Sequence, residues 1–382
     1  MRDIATTSTS FAVVRNTTIR PASNAYEWRF ILPPYFLIFL LSISGNCLVI
    51  ATLASNRRMR TITNVYLLNL AISDFLLGVF CLPFTLVGQI YRRFLFGAAL
   101  CKLIPFLQAV SVSVDVWTLV AISLERYFAI CRPLKSRKWQ TQCHAYKMIA
   151  MVWILSVALN SPILIISRPG PYKCREVWTS LELERAFNLG LDAGLLLIPF
   201  FIMSFAYSLI VTKLWRGMRH EIQHNFNWQK NYFSSSEAVK DFNIRYAVIV
   251  VIIRAIIFRR HGFFQFEHNI KYTFLFQVIR MLFVIILEFF ICWTPLHVIN
   301  TIYLFYPDEL YQYIGSKGVV LLQLLAYCAS CCNPITYCFM NRKFRQAFIT
   351  LFKACRLFRQ LFLSASRIHH FICIHLKTMN IL

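Results

Sequence analysis

Residues 108–127 read QAVSVSVDVWTLVAISLERY, a run apolar enough to live in lipid that nevertheless carries Asp115, Glu125 and Arg126. Ionisable side chains in such a run face a protein interior or a water-filled cavity, and they mark ion sites, relays and switches. At about 100° per residue, Arg126 falls three turns plus about 20° after Asp115. Gln108 is offset from Asp115 by a similar angle, Ser111 by about 40° and Thr118 by about 60°. One polar stripe therefore runs the length of a helix. At 1.5 Å per residue Glu125 lies about 15 Å from Asp115 along the axis, which puts Asp115 near mid-membrane and the Glu125–Arg126 couple at a boundary. By spacing alone that couple is either a locally paired, snorkelling ion pair or a switch.

Other apolar stretches repeat the pattern. Asn46 stands in SGNCLVI, Asp74 in NLAISDFLLG, Trp293 and Pro295 in FFICWTPLHVIN, and Asn333, Pro334 and Tyr337 in CASCCNPITYCFMN. Each proline removes a backbone hydrogen bond and can kink or hinge its helix. Enzyme chemistry finds no foothold in these residues. The nine histidines stand mostly in loops and tails, no HExxH occurs, and the thirteen cysteines are scattered with no metal-ligand spacing. No metal centre and no cofactor are expected, and most of the thiols read as small apolar core residues.

The elements that position these side chains follow from composition. The chain has 382 residues, 58% of them hydrophobic and only 15% charged, with a mean hydropathy of +0.57. Seven stretches exceed the roughly 18 apolar residues that cross a bilayer core: 33–54, 64–87, 101–130, 147–167, 187–213, 278–304 and 317–340. The fold class is an all-α membrane protein, a seven-transmembrane helix bundle with a short amphipathic cytosolic helix after the last span. The basic loops SNRRMR, CRPLKSRKW and NRKFRQAF fall on one side, which sets that side in the cytosol and the N-terminus outside. The first 30 residues are polar and lack the apolar core of a signal peptide, so the first span is expected to direct insertion. Asn16 opens a glycosylation sequon in the outer tail. Cys101 and Cys174 both face the oxidising outer compartment, where a bridge between them would tie the loop PYKCREVW to the top of span 3. Cys355, past a basic amphipathic stretch at the inner face, is a palmitoylation candidate. The net charge of +24 fits cationic loops on anionic membrane lipid and carries no nucleic-acid motif. A transporter would show repeated halves, and none is present.

The motifs together carry a resemblance. Asn46, LAISD with Asp74, Glu125-Arg126-Tyr127, Trp153, Pro199 with Tyr207, Cys292-Trp293-Thr294-Pro295 and Asn333-Pro334-Ile335-Thr336-Tyr337 resemble, one per span and in order, the rhodopsin-like G-protein-coupled receptors. Within that family, LVAISLERYFAICRPLKSRKWQTQCHAYKMIA, YKCREVW, MLFVIILEFFICWTPLHVINT and NPITYCFMN look like the cholecystokinin/gastrin receptors and their invertebrate sulfakinin relatives. The resemblance covers roughly 33–218 and 278–355.

What it implies is a plasma-membrane receptor with an outward pocket for an amidated, often sulfated neuropeptide and an inner face for a heterotrimeric G protein, most often of the q class. Arg175 matches the residue that pairs with a sulfotyrosine, and Asn300 the amide that grips the peptide's C-terminal end; Gln108, Lys173, His297 and Tyr303 complete the expected ligand set. A guanidinium fork suits an oxyanion. Tyr303 stands where the relatives carry a basic residue, leaving Lys173, Arg92, Arg93 or Arg168 to compensate, so another neuropeptide class remains an alternative. A biogenic-amine receptor is disfavoured, because Gln108 stands where an amine site needs a carboxylate. Arg126 would leave Glu125 on activation, Tyr207 and Tyr337 would swing in beside it, and Phe289 and Trp293 would form the packing switch. Asp74, Ser330 and Asn333 match the family's resting-state sodium pocket, and Asp115 stands there where relatives carry Ser. Two carboxylates in one pocket either share a proton or hold a cation more tightly, unless Asp115 is simply neutral and hydrogen-bonded in place.

The expected organisation is an outer tail over 1–32, spans one to five over 33–218, a third cytosolic loop over 219–277, spans six and seven over 278–340, the amphipathic helix over 341–356 and a tail over 357–382. Within that third loop, DFNIRYAVIVVIIRAIIFRRHGFFQFEHNIKYTFLFQ departs from the polar, basic loop of the relatives. Residues 242–258 are short and carry two arginines, and an eighth span would invert span 6. Either a membrane-surface helix or retained intron within 240–277 accounts for it, the second giving a coupling-deficient chain. The same suspicion attaches to the residues after about 357.

Overall fold

The computed structural model describes residues 28–56, 59, 61–91, 94–170, 174–230, 270–351 and 353. Seven helices among them are long and apolar enough to cross a membrane. We label these α1 (Trp28–Ser55), α2 (Ile62–Tyr91), α3 (Gly97–Cys131), α4 (Gln142–Ile166), α5 (beginning at Leu181 and running on through Ile198–Lys230), α6 (Ile270–Phe305) and α7 (Gly315–Met340). They run past the apolar stretches because the helix backbone satisfies its own hydrogen bonds beyond the hydrocarbon as well as within it. Thus α6 opens at Ile270, eight residues before the run expected at 278, and α5 opens at Leu181, capped by the Ser180 hydroxyl accepting from the Leu183 amide at 3.2 Å. Thr61 and Thr141 cap α2 and α4 in the same way.

Two helices carry π turns, α2 at Leu77–Cys81 and α5 at Ala193–Leu197. A π turn inserts one residue per turn and rotates the remainder of its helix to a new facing, which is why such turns gather at functional sites. On the outer side a two-stranded hairpin, β1 (Ser167–Pro169) and β2 (Cys174–Glu176), places Arg168 opposite Arg175 and Pro169 opposite Cys174. A disulfide joins Cys101 to Cys174 and fixes the hairpin to the top of α3. Gly97, at φ 77°, makes the left-handed turn into α3 that a side chain would resist.

The polar stripe makes α3 the centre of the bundle. Two-thirds (67%) of its apolar window is buried, against 22% for α4. Large side chains such as Ile154, Phe201, Phe205 and Leu321 point outward from the other helices as a lipid-facing belt. The thiols follow this division: of the nine described free cysteines, Cys81, Cys292 and Cys331 are buried, while Cys47 and Cys143 are exposed, so burial is less general than composition implied. After α7, residues 342–351 are helical and turn Phe344 and Phe348 inward, the Phe344 ring centroid 5.4 Å from that of Tyr337.

Candidate functional site

Four layers of polar contacts descend along α3. Nearest the outside, the Tyr327 hydroxyl of α7 donates to Gln108 Oε1 at 3.2 Å and shares a 2.9 Å bond with Thr85 of α2. Gln108 thereby sits in a network joining three helices.

One layer deeper, Asp115 accepts from the Ser73 hydroxyl, and Asp74 accepts from Asn333 Nδ2 at 2.8 Å. Asp74, Asp115 and Asn333 line one small cavity with Phe289 and Glu288 of α6. Glu288 holds the Thr336 hydroxyl at 2.7 Å through one oxygen, and its other oxygen is buried without a partner among the described residues. Ser330 does not line the space; its hydroxyl donates to the Tyr327 carbonyl, while its own carbonyl accepts from Asn46 Nδ2 at 2.8 Å. Among the described residues no three acidic, His or Cys side chains converge as metal ligands would.

Below it, Asn69 Nδ2 donates to Thr118 Oγ1 and Asn69 Oδ1 accepts from Trp153 Nε1, both at 2.8 Å, tying α2, α3 and α4. At the cytosolic end Arg126 donates from Nε and Nη2 to the two oxygens of Glu125, each at 2.6 Å, a bidentate pair. Gln140, which follows the short helix Pro133–Trp139 as its C-cap, donates to the Glu125 carbonyl at 2.9 Å, and Tyr127 stacks edge-on against Phe128. Tyr207 and Tyr337 are buried, and neither hydroxyl meets a hydrogen-bond partner at bonding geometry among the described residues.

Trp293 and Phe289, one turn apart on α6, hold their ring centroids 6.2 Å apart, and Trp293 is followed outward by His297 at 6.4 Å. Phe289 thus touches the cavity below and Trp293 above. His297 Nδ1 lies 2.6 Å from Asp192 Oδ1 of α5, and the Thr301 hydroxyl donates to the other oxygen of Asp192. Asn300 and Tyr303 are exposed on the outer part of α6. Arg175 is placed in β2 beside the disulfide, and Arg168 is exposed on the opposite strand. Lys173, Arg92, Arg93, Asn16 and Cys355, with residues 231–269, lie outside the described residues.

The structure brings Asp74, Asp115 and Asn333 to one cavity with Phe289, leaves Ser330 outside its lining and pairs Glu125 with Arg126, while Asn300 and Tyr303 stand exposed on the outer part of α6. It adds Asp192, Glu288 and Asn69, which sequence reading passed over. Asp192 in LGLDAGLLL and Glu288 in VIILEFFICW are carboxylates in apolar runs, the same signal that singled out Asp74 and Asp115.

Comparison with known proteins agrees with this geometry. The sequence model described as 7 transmembrane receptor (rhodopsin family) matches residues 45–337. The chain is 37% identical over 348 residues to the cholecystokinin receptor of Xenopus laevis, covering 84% of this chain and 76% of that protein. It is 38% identical over 346 residues to the human cholecystokinin receptor type A, covering 84% and 80%, and 34% identical over 353 residues to the rat gastrin/cholecystokinin type B receptor, covering 84% and 78%.

Proposed function

Because the chain belongs to the rhodopsin family of seven-transmembrane receptors, we propose that this plasma-membrane receptor answers an amidated peptide of the cholecystokinin and sulfakinin type, sulfated on tyrosine, and activates a heterotrimeric G protein of the q class. The observation that carries the reading is the likeness over 84% of the chain to cholecystokinin receptors. Arg175 and Asn300 take the sulfate ester and the C-terminal amide, with Gln108, Lys173, His297 and Tyr303 around them.

The geometry supplies a route from mouth to cytosol. The peptide displaces the α5–α6 contacts around His297, which leans on Trp293, which leans on Phe289. Pro295 lies one residue beyond Cys292-Trp293-Thr294 and lacks the amide that would lock α6 there. Swinging the inner half of α6 outward releases Arg126 from Glu125 toward the G protein. The hydroxyl oxygens of Tyr207 and Tyr337, buried without a hydrogen-bond partner among the described residues, accept from the freed guanidinium on moving toward it. The peptide shifts the equilibrium only by its differential affinity for the two states.

We further infer that Asp74, Asp115 and Asn333 hold a sodium ion or a shared proton in the resting state. Phe289 is the common wall of that cavity and the packing switch, so filling one opposes movement of the other. Calcium release in cells displaying the chain, exposed to sulfated and unsulfated peptides, tests the main reading. A response to the sulfated peptide at lower concentration, abolished by a q-class inhibitor, is expected. Silence toward both at verified surface density removes it.

A further inference from the structure

Arg185 forms no salt bridge among the described residues, although the carboxylate of Glu184 beside it in sequence feels its charge. It stands in the second turn of α5 and crosses to the outer end of α6, where Nη2 donates to the Leu304 carbonyl at 3.4 Å and the guanidinium carbon lies 4.7 Å from the centroid of the Phe305 ring. Its Nε is buried and has no acceptor among the described residues. Neither of the two ion pairs among those residues includes it. A guanidinium stays charged under all ordinary conditions and presents five donors in a fixed fork. Here a ring face and one long carbonyl contact hold the group in place, and its remaining donors are left to another partner.

The position is on the ligand side of both helices. Asp192 follows Arg185 by seven residues, two turns plus about −20°, so the two share a face of α5. That face meets α6, because Asp192 binds His297 and Thr301. On α6, Leu304 follows Trp293 by eleven residues, three turns plus about 20°, and so continues the stripe of Trp293 and His297 to the mouth. Arg185 therefore closes the outer end of the α5–α6 seam, about 10 Å above Asp192 along the helix.

We propose that Arg185 is an anion subsite of this mouth, taking a carboxylate or sulfate ester of the bound peptide on its free donors. The proposal rests on the peptide-receptor reading and goes beyond it by naming a residue of α5. A planar fork anchored at its back engages an oxyanion through two parallel N–H bonds at little cost in ordering. The π face of Phe305 and the Leu304 carbonyl keep it aimed without neutralising it.

A capping role toward α6 is the competing account, since a basic group on a last-turn carbonyl stabilises a helix end. Binding of a cholecystokinin-type amidated octapeptide separates the two, using four versions: aspartate or asparagine beside the terminal phenylalanine amide, each with sulfated or free tyrosine. Arg185→Gln keeps a donor for Leu304 and removes the charge; Arg185→Lys keeps the charge and removes the fork. Arg185→Gln is expected to weaken one anionic version by tenfold or more and to change the version lacking that group by less than twofold, with Arg185→Lys between. Dependence on the aspartate assigns the carboxylate; dependence on the sulfated tyrosine assigns the ester. Equal weakening of all four, or of none, overturns the subsite. If wild-type receptor binds no version, the peptide reading fails, and the subsite is then judged by thermal midpoints of the purified full chain in sodium sulfate against sodium chloride at equal ionic strength. A larger sulfate gain in wild type than in Arg185→Gln upholds it, and equal gains overturn it.

Discussion

Glu125 and Arg126, neighbours in sequence, meet in a bidentate pair with both contacts at 2.6 Å, and Gln140 donates to the Glu125 carbonyl; in the proposed function this pair latches the resting state. Replacing Glu125 by Gln leaves a neutral partner and forfeits about 1.5 kcal/mol of charge-assisted bonding, roughly tenfold in the ratio of active to resting receptor. Inositol phosphate accumulation without peptide should rise accordingly, and an unchanged basal level would show that the pair does not hold the resting state. Asp115 makes the second prediction at this scale. It shares the cavity with Asp74, so agonist affinity should depend on sodium concentration and on pH in wild type, and less on both in Asp115→Ser; identical curves reject an ionic or protonic role. The carboxylates of α3 were legible because 3.6-residue periodicity placed Gln108, Asp115 and Arg126 on one stripe. Glu288 and Asp192 carry the same signal of a carboxylate in an apolar run, but what they bind was not legible, because their partners Thr336, His297 and Thr301 stand 48, 105 and 109 residues away, and only helix rotation brings them together.

Between helices the close approaches are set by glycine. A Cβ on Gly45 of α1 would meet Cβ and Cγ of Pro334 in α7 at 3.0 Å, and a proline ring cannot swing aside. Gly45→Ala should therefore push α1 from the hinge of α7 and cost about 1–2 kcal/mol by overpacking, read as a lower thermal midpoint and fewer receptors at the surface. Gly88 of α2 is the control. Nothing lies within 4 Å of its Cβ position, so Gly88→Ala should hold or raise the midpoint through helix propensity. An equal loss in both would place the cost outside the α1–α7 contact. All seven spans could be read from apolar length, but not their ends or their π turns. Hydropathy measures the slab the helix crosses, whereas Ser180 capping and the Leu181–Asp192 segment depend on local hydrogen bonding beyond it. Residues 342–351 behaved as an amphipathic stretch should, and Phe344 and Phe348 show why: their rings cover the inner end of α7.

Taken as a whole, the receptor separates recognition from output along α6. From Leu304 at the mouth to Ile270 at the cytosolic start of the helix is 34 residues, about 50 Å of helix. A change confined to the cytosolic side therefore leaves the peptide contacts untouched while altering the surface the helix presents to a G protein. Across 270–280 the helix offers only Lys271 and Arg280 as cations, and the preceding 242–258 alternate arginine with long apolar runs in place of a polar, basic loop. Exchanging 240–277 for a polar, lysine-rich segment of equal length should leave peptide affinity within about twofold and raise the maximal calcium signal several-fold at matched surface density, because docking of a G protein gains from complementary charge chiefly in its rate of encounter. An unchanged maximal signal would show that these residues couple as they stand, and sequencing the transcript across them asks the same question independently. An uninterrupted message encoding all of 240–277 removes the intron account, and with it the reason to expect weak coupling.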